Sequence, residues 1–132
     1  METQSLSNAM SDAENLKLFL AIHSYGQYMV YPWSYGYDFP PVNQKFVATR
    51  YTFAVEAVNN YHYTPINAAD WYPAAGTTDD WALGVLGVNI ALTLEVRDEG
   101  KYGFVLPASQ IAPTRAENWE GFKYLISHAK SV

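Results

Sequence analysis

The sequence predicts an α/β domain, part of a mixed and mostly parallel sheet flanked by helices. Two observations carry this. The runs Leu16–His23 and Ile90–Val96 are short, aliphatic and β-branched, as buried strands are. A segment without Pro or Gly, Glu2–Asn15, leads directly into the first of them, and a helix running into a buried strand marks an α/β chain.

Taken in order, Glu2–Asn15 is expected to be a helix, with Leu6, Met10 and Ala13 at helical spacing and Asn15 as its stop. Leu16–His23 follows as an interior strand. Such a strand needs neighbours on both sides, so the sheet is expected to be incomplete within this chain. Gln27–Tyr31 is a second short strand, closed by Pro32. Trp33–Pro41 is rich in Tyr, Gly and Pro and reads as a loop. Asn43–Asn60 gives the best helix, with Phe46, Val47, Arg50, Tyr51, Ala54, Val55 and Val58 on one mostly apolar face. A short strand is expected near Thr64–Asn67 and a loop over Pro73–Thr78. Asp79 and Asp80 suit a helix start, and that helix runs to about Leu86. The strand to Val96 comes next, and an amphipathic helix over Pro113–Lys130 closes the chain.

The bulk properties narrow the function. At 132 residues the chain is one domain's worth, with no repeat, low-complexity segment or linker. A net charge of −5 and dispersed Lys and Arg exclude a partner held by phosphate contacts, so no nucleic acid is expected. No apolar stretch is long enough to span a membrane. There is no cysteine, hence no disulfide or thiolate metal site. Met1 is followed by the polar Glu2–Asn8, which does not read as a secretory leader. Eleven Tyr and four Trp suit a core or a cleft lined by rings with polar tips.

Glu95 is the residue with the most chemistry in its context. A carboxylate at the end of a buried strand has a raised pKa unless a cation or donor answers it. The plainer reading is an ion pair with Arg97, which shares its face if the strand continues. The sharper reading is a general base at the carboxyl edge of a sheet. His23 ends the first strand, where a histidine is more often a hydrogen-bonded rim residue than a ligand. His62 and His128 read as surface residues. A catalytic zinc site needs three protein ligands and an open position. No histidine here has an Asp, Glu or second His three or four positions away, so the chain read alone does not hold a complete site.

Three segments, in order, resemble the C-terminal part of the zinc metallocarboxypeptidases of the pancreatic A/B type. Glu95–Phe104, Glu-Val-Arg-Asp-Glu-Gly-Lys-Tyr-Gly-Phe, followed by Leu-Pro-Ala-Ser-Gln-Ile, resembles the segment that carries the family's catalytic glutamate. Phe19–Gln27 is similar to the third-ligand segment, and Trp71–Trp81 to the mobile tyrosine loop and specificity wall. The resemblance runs from about Glu2 to Lys130. It implies the family's α/β/α domain, with 1–132 its C-terminal portion. It also implies that His23 is a zinc ligand, that Glu95 is the general base for a zinc-activated water, and that Tyr72 closes over the substrate's C-terminal carboxylate. Ser24, Tyr25 and Phe104 then line the substrate cleft, with Arg97 in support.

The resemblance also bears on specificity. At the position of Asp79, A-type members carry an apolar side chain and B-type members an aspartate. A carboxylate on a closed pocket floor selects a cationic side chain, so C-terminal Lys or Arg is the expected preference. The competing role for Asp79 is simply to cap the helix that begins there. Ser34 occupies another variable pocket position and adds no charge.

The family's His-x-x-Glu ligands, its carbonyl-polarising arginine and its Asn-Arg carboxylate grip cannot be placed in the chain. With one ligand for one zinc ion, the chain alone is expected to be inactive. It is also expected to fold poorly, because its sheet has an open apolar edge. Its partners would be a peptide C-terminus and the missing N-terminal half of the catalytic domain. A secreted location follows from the family alone. A truncated, non-catalytic binding protein is the alternative. An aromatic-lined carbohydrate-binding module explains the ring content but not the ordered segments.

Overall fold

The computed structural model describes residues 1–37 and 42–132. Its strands are β1 (Leu18–Ser24), β2 (Tyr28–Tyr31), β3 (Thr64–Asn67) and β4 (Ile90–Val96). Its helices are α1 (Glu2–Ser11), α2 (Val42–Asn59), α3 (Ala68–Trp71), α4 (Thr78–Gly84) and α5 (Ile111–Ala129), with a single 3₁₀ turn at Ala108–Gln110 ahead of α5. The sheet has the order β1-β4-β2-β3. β1 runs parallel to β4 and β2 parallel to β3, while β2 and β4 are antiparallel. The expected mixed sheet flanked by helices is what forms.

The two faces of β4 explain the layering. Alternate residues point to opposite sides. Leu92 and Leu94 join Met29 of β2 and Val47, Tyr51 and Val55 of α2 in the main core, with Leu125 of α5 behind them. On the other side Ala91 packs with Met10 of α1 and Ala82 of α4 in a smaller cluster, with Phe19 of β1 against it. That cluster covers only the first half of the face. Beyond it, at the carboxyl ends of β1 and β4, the face is left for the site.

α2 and α5 approach closely because Gly121 has no side chain. A Cβ there would stand 2.3 Å from the ring of Tyr51. Against α5 lies a buried polar network. Arg97 donates from Nε to Glu117 Oε1 at 2.7 Å, from Nη2 to Glu117 Oε2, and from Nη1 to Gln110 at 2.6 Å. Tyr63 also donates to Glu117, at 3.0 Å. Glu117 is fully buried and its charge is answered, as burial requires.

Several expectations need correction. The first helix stops at Ser11, not Asn15, which instead sits in the left-handed region at φ 57° within the turn before β1. Among the described residues β1 pairs with β4 alone, with Ile22 and His23 exposed, as the expected incomplete sheet requires. The interior position belongs to β4. Gln27 and Asn60 also take positive φ, 57° and 54°, so β2 begins at Tyr28 and α2 ends at Asn59. On α2 the expected apolar face is shifted. Phe46 and Val58 are exposed, and Gln44 and Thr52 are buried in their place. α5 begins at Ile111, and α3 was not expected as a helix. Of the expected loop Trp33–Pro41, residues 38–41 lie outside the described residues; Trp33 to Tyr37 has no regular structure.

Candidate active site

The site is built from two rows across the sheet. The pairing places Ala21, Thr93 and Val30 side by side, and then, one pleat on, His23, Glu95 and Tyr28. All six side chains rise from the same face, because the rows are two residues apart on each strand. His23 Nδ1 lies 3.3 Å from both carboxylate oxygens of Glu95. The imidazole is 67% exposed and the carboxylate side chain 6%. Burial pushes the Glu95 pKa above the ordinary glutamate range, and His23 partly offsets this. The alternative partner, Arg97, is not used. The strand ends at Val96, and Arg97 turns to Glu117. The structure places Arg97, expected in support of the cleft, against Glu117 and Gln110 rather than beside Glu95. Its guanidinium lies 3.4 Å from the Tyr61 ring centre.

Two cavities meet at this pair. One, of about 240 Å³, runs over the first row and is lined by Ala21, Val30, Ser34, Thr93 and Asp79. Asp79 is 3% exposed. Its Oδ2 accepts from Thr93 Oγ1 at 3.1 Å, and its Oδ1 accepts from the Asp80 amide at 3.0 Å. Asp79 therefore serves the first turn of α4 and also lines the cavity. Among the described residues no lysine or arginine lines it. Asp80 faces the other way and accepts from the Ser34 and Tyr35 amides, fixing the cavity's far wall. Ser34 is buried and accepts from Thr77 Oγ1 at 3.1 Å.

The second cavity, of about 440 Å³, is lined by Ser24, Tyr25, Tyr28 and Phe104. Tyr25 and Phe104 pack edge-on at 4.9 Å. Gly103 lets the loop close on them, since a Cβ there would stand 3.3 Å from the Tyr25 ring and its φ is +57°. Asp98 ties that loop by accepting from the amides of Gly100, Tyr102 and Gly103 at 3.1, 2.7 and 3.1 Å. Burial raises the Asp98 pKa, but these donors, Tyr102 foremost, outweigh it and hold the carboxyl below its ordinary range. Tyr72 stands at the junction of the cavities, 58% exposed, on the segment before Gly76.

The family's profile, zinc carboxypeptidase, matches residues 1–121. The chain belongs to the zinc carboxypeptidase family. It is 42% identical to carboxypeptidase B of Astacus astacus, over 91% of this chain and 41% of that protein. It is 40% identical to carboxypeptidase B of Bos taurus, over 96% of this chain and 32% of that protein. The crystal structure of thrombin-activatable fibrinolysis inhibitor superposes with a TM-score of 0.93 at 34% identity, covering 99% of this chain and 34% of that one. The chain thus spans between about a third and two fifths of the relatives it matches.

Zinc carboxypeptidases imply a metal, and the donor set tests the fit. A catalytic zinc needs three protein ligands. His23 offers an accessible imidazole, but among the described residues no group of three or more His, Asp, Glu or Cys converges. The residues present do not by themselves fit a zinc ion, and no step can be routed through one within this chain.

The structure brings His23, Glu95, Tyr72 and Asp79 to one pair of adjoining cavities, and Ser24, Tyr25 and Phe104 to the second of them. Sequence reasoning missed Thr93 and Tyr28, and it placed Trp71 only as the first residue of the Trp71–Trp81 segment. Thr93 had a usable signal, standing two residues before Glu95 on the same strand and therefore on its face. Tyr28 gave none beyond being a ring, because its place depends on strand pairing, and the place of Trp71 at both cavities depends on a helix of four residues.

Proposed function

We propose that this chain is the C-terminal part of a metallocarboxypeptidase that removes basic residues from peptide C-termini. The observation that carries it is the buried, cation-free Asp79 in a cavity that opens onto the His23–Glu95 pair. Glu95 is the proton acceptor for the attacking water. Its raised pKa makes it a better acceptor than a solvated glutamate, as Brønsted behaviour requires. His23 is one zinc ligand of a set completed by the rest of the protein. Tyr72 folds over the substrate's terminal carboxylate, excluding water. Asp79 pairs with the Lys or Arg side chain, and Ser24, Tyr25 and Phe104 flank the residues before the scissile bond. The complete protein acts outside the cell.

Peptides ending in Arg, Lys, Leu and Phe, offered to the longer protein that contains this chain, test the reading. Arg and Lys should be released preferentially, and Asp79→Ile should transfer the preference to Leu and Phe. Glu95→Gln should slow turnover about 10²–10⁴-fold. Unchanged turnover in that variant, or no release of any C-terminal residue, defeats the proposal and leaves a non-catalytic binding protein.

A further inference from the structure

We infer that Trp71 is a specificity-determining residue of the Asp79 cavity, and that its indole makes the cavity prefer C-terminal arginine to lysine. This rests on the reading above, in which Asp79 takes a cationic side chain.

Trp71 is the last residue of α3 and is partly buried. With His23, Tyr72 and Glu95 it is one of the four residues that line both cavities. A side chain that starts at the His23–Glu95 pair and extends to Asp79 therefore runs beside the indole. The ring packs against Tyr28, 5.3 Å away centre to centre, and the exposed Tyr72 lies 4.9 Å away at the junction of the cavities. The short helix that carries it is pinned. The buried Asn67 side chain caps it by accepting from the Ala69 amide at 3.2 Å and donates to the Pro32 carbonyl at 2.9 Å. Trp71 is thus a wall held by its neighbours.

The chemistry of that wall separates the two basic side chains. Asp79 attracts either cation. An ammonium is compact and strongly hydrated, and it gains chiefly from the carboxylate. A guanidinium is planar and weakly hydrated, and it stacks on an indole face while pairing with a carboxylate. Tryptophan is the best of the aromatic partners for a cation. The gain at a partly desolvated face corresponds to an arginine-to-lysine ratio of about tenfold. Among the other described residues lining the cavity, His23, Glu95 and Tyr72 stand at its mouth, where the second cavity joins it, and the rest are small, hydroxylic or apolar, so Trp71 is the ring placed to divide the two along the way to Asp79.

The test is kcat/KM for paired peptides that differ only in a final Arg, Lys or Leu, measured on the longer protein with Trp71→Phe and Trp71→Leu. The native enzyme should favour Arg over Lys by about tenfold. The ratio should fall part-way in Trp71→Phe and close to one in Trp71→Leu, through KM and with the preference for Lys over Leu intact. A native ratio near one, or one unchanged in Trp71→Phe, overturns the inference even if the leucine variant fails to fold. If Lys and Arg are not favoured over Leu at all, the Asp79 reading fails and this inference goes with it.

Discussion

Glu95 and Asp98 stand three positions apart, and their surroundings pull them in opposite directions. Glu95 is raised by burial, with His23 opposing; Asp98 is lowered by three amides that outweigh its burial. The signs for stability follow. Asp98 contributes stability that is present above its unfolded pKa of about 3.9 and is lost as pH falls through its lower folded value. Asp98→Asn should therefore lower the melting temperature at neutral pH, and the gap should close in strong acid. Glu95 is the reverse case. The folded protein favours its protonated form, so its contribution is present below the unfolded pKa and is lost as pH rises through the folded one. Glu95→Gln should leave the protein as stable as the native chain or more stable at pH 7, while it removes activity. A lower melting temperature in Glu95→Gln at pH 7 contradicts this. Sequence proximity misled at this same spot. Arg97 is two residues from Glu95, but the strand stops between them, and a partner twenty residues on, Glu117, takes the guanidinium. Removing either partner strands a buried charge, so Glu117→Gln should cost about 3–5 kcal/mol in urea unfolding.

Among the elements, β4 was the most legible and α3 the least. β4 is a buried aliphatic run whose alternation still left Thr93 and Glu95 on one face, and both features can be read from residue types. α3 has four residues, too few for any helical period, and its cap is an asparagine that also bonds across to Pro32. Ends shifted where an asparagine or glutamine adopts positive φ, at Asn15, Gln27 and Asn60, because side-chain type alone does not announce that conformation at a given position. The α2–α5 contact makes an element-level prediction. Gly121→Ala brings a helix-propensity gain of up to about 1 kcal/mol. It also sets a Cβ 2.3 Å from the fully buried Tyr51 ring. Overpacking costs about 1–3 kcal/mol, so the clash should win, and the variant should unfold at lower urea concentration. A stabilised variant would mean that the two helices lie further apart.

At the scale of the whole molecule the sheet has two edge strands among the described residues, β1 and β3, and the β1 edge is the apolar one. β1 pairs only with β4, and beside it Leu18, Leu20, Ile22, Trp119, Phe122 and Ile126 form an apolar groove. An open apolar edge is a template for association. The isolated 132-residue chain should therefore sediment as oligomers or bind apolar dyes, and a clean monomer that binds none would refute this. The apolar run of β1 and an open apolar edge were both expected from sequence, but the pairing of β1 with β4 was not, because that depends on which strands come together. On the proposed reading the site has the same character: one imidazole, one carboxylate and the cavity holding Asp79 lie in this chain, and the other zinc ligands come from the rest of the protein. Zinc content after dialysis tests that division most directly. The isolated chain should retain far less than one zinc per chain. The longer protein should retain one and lose it in His23→Ala. One zinc held through dialysis by the isolated chain would contradict a shared metal site.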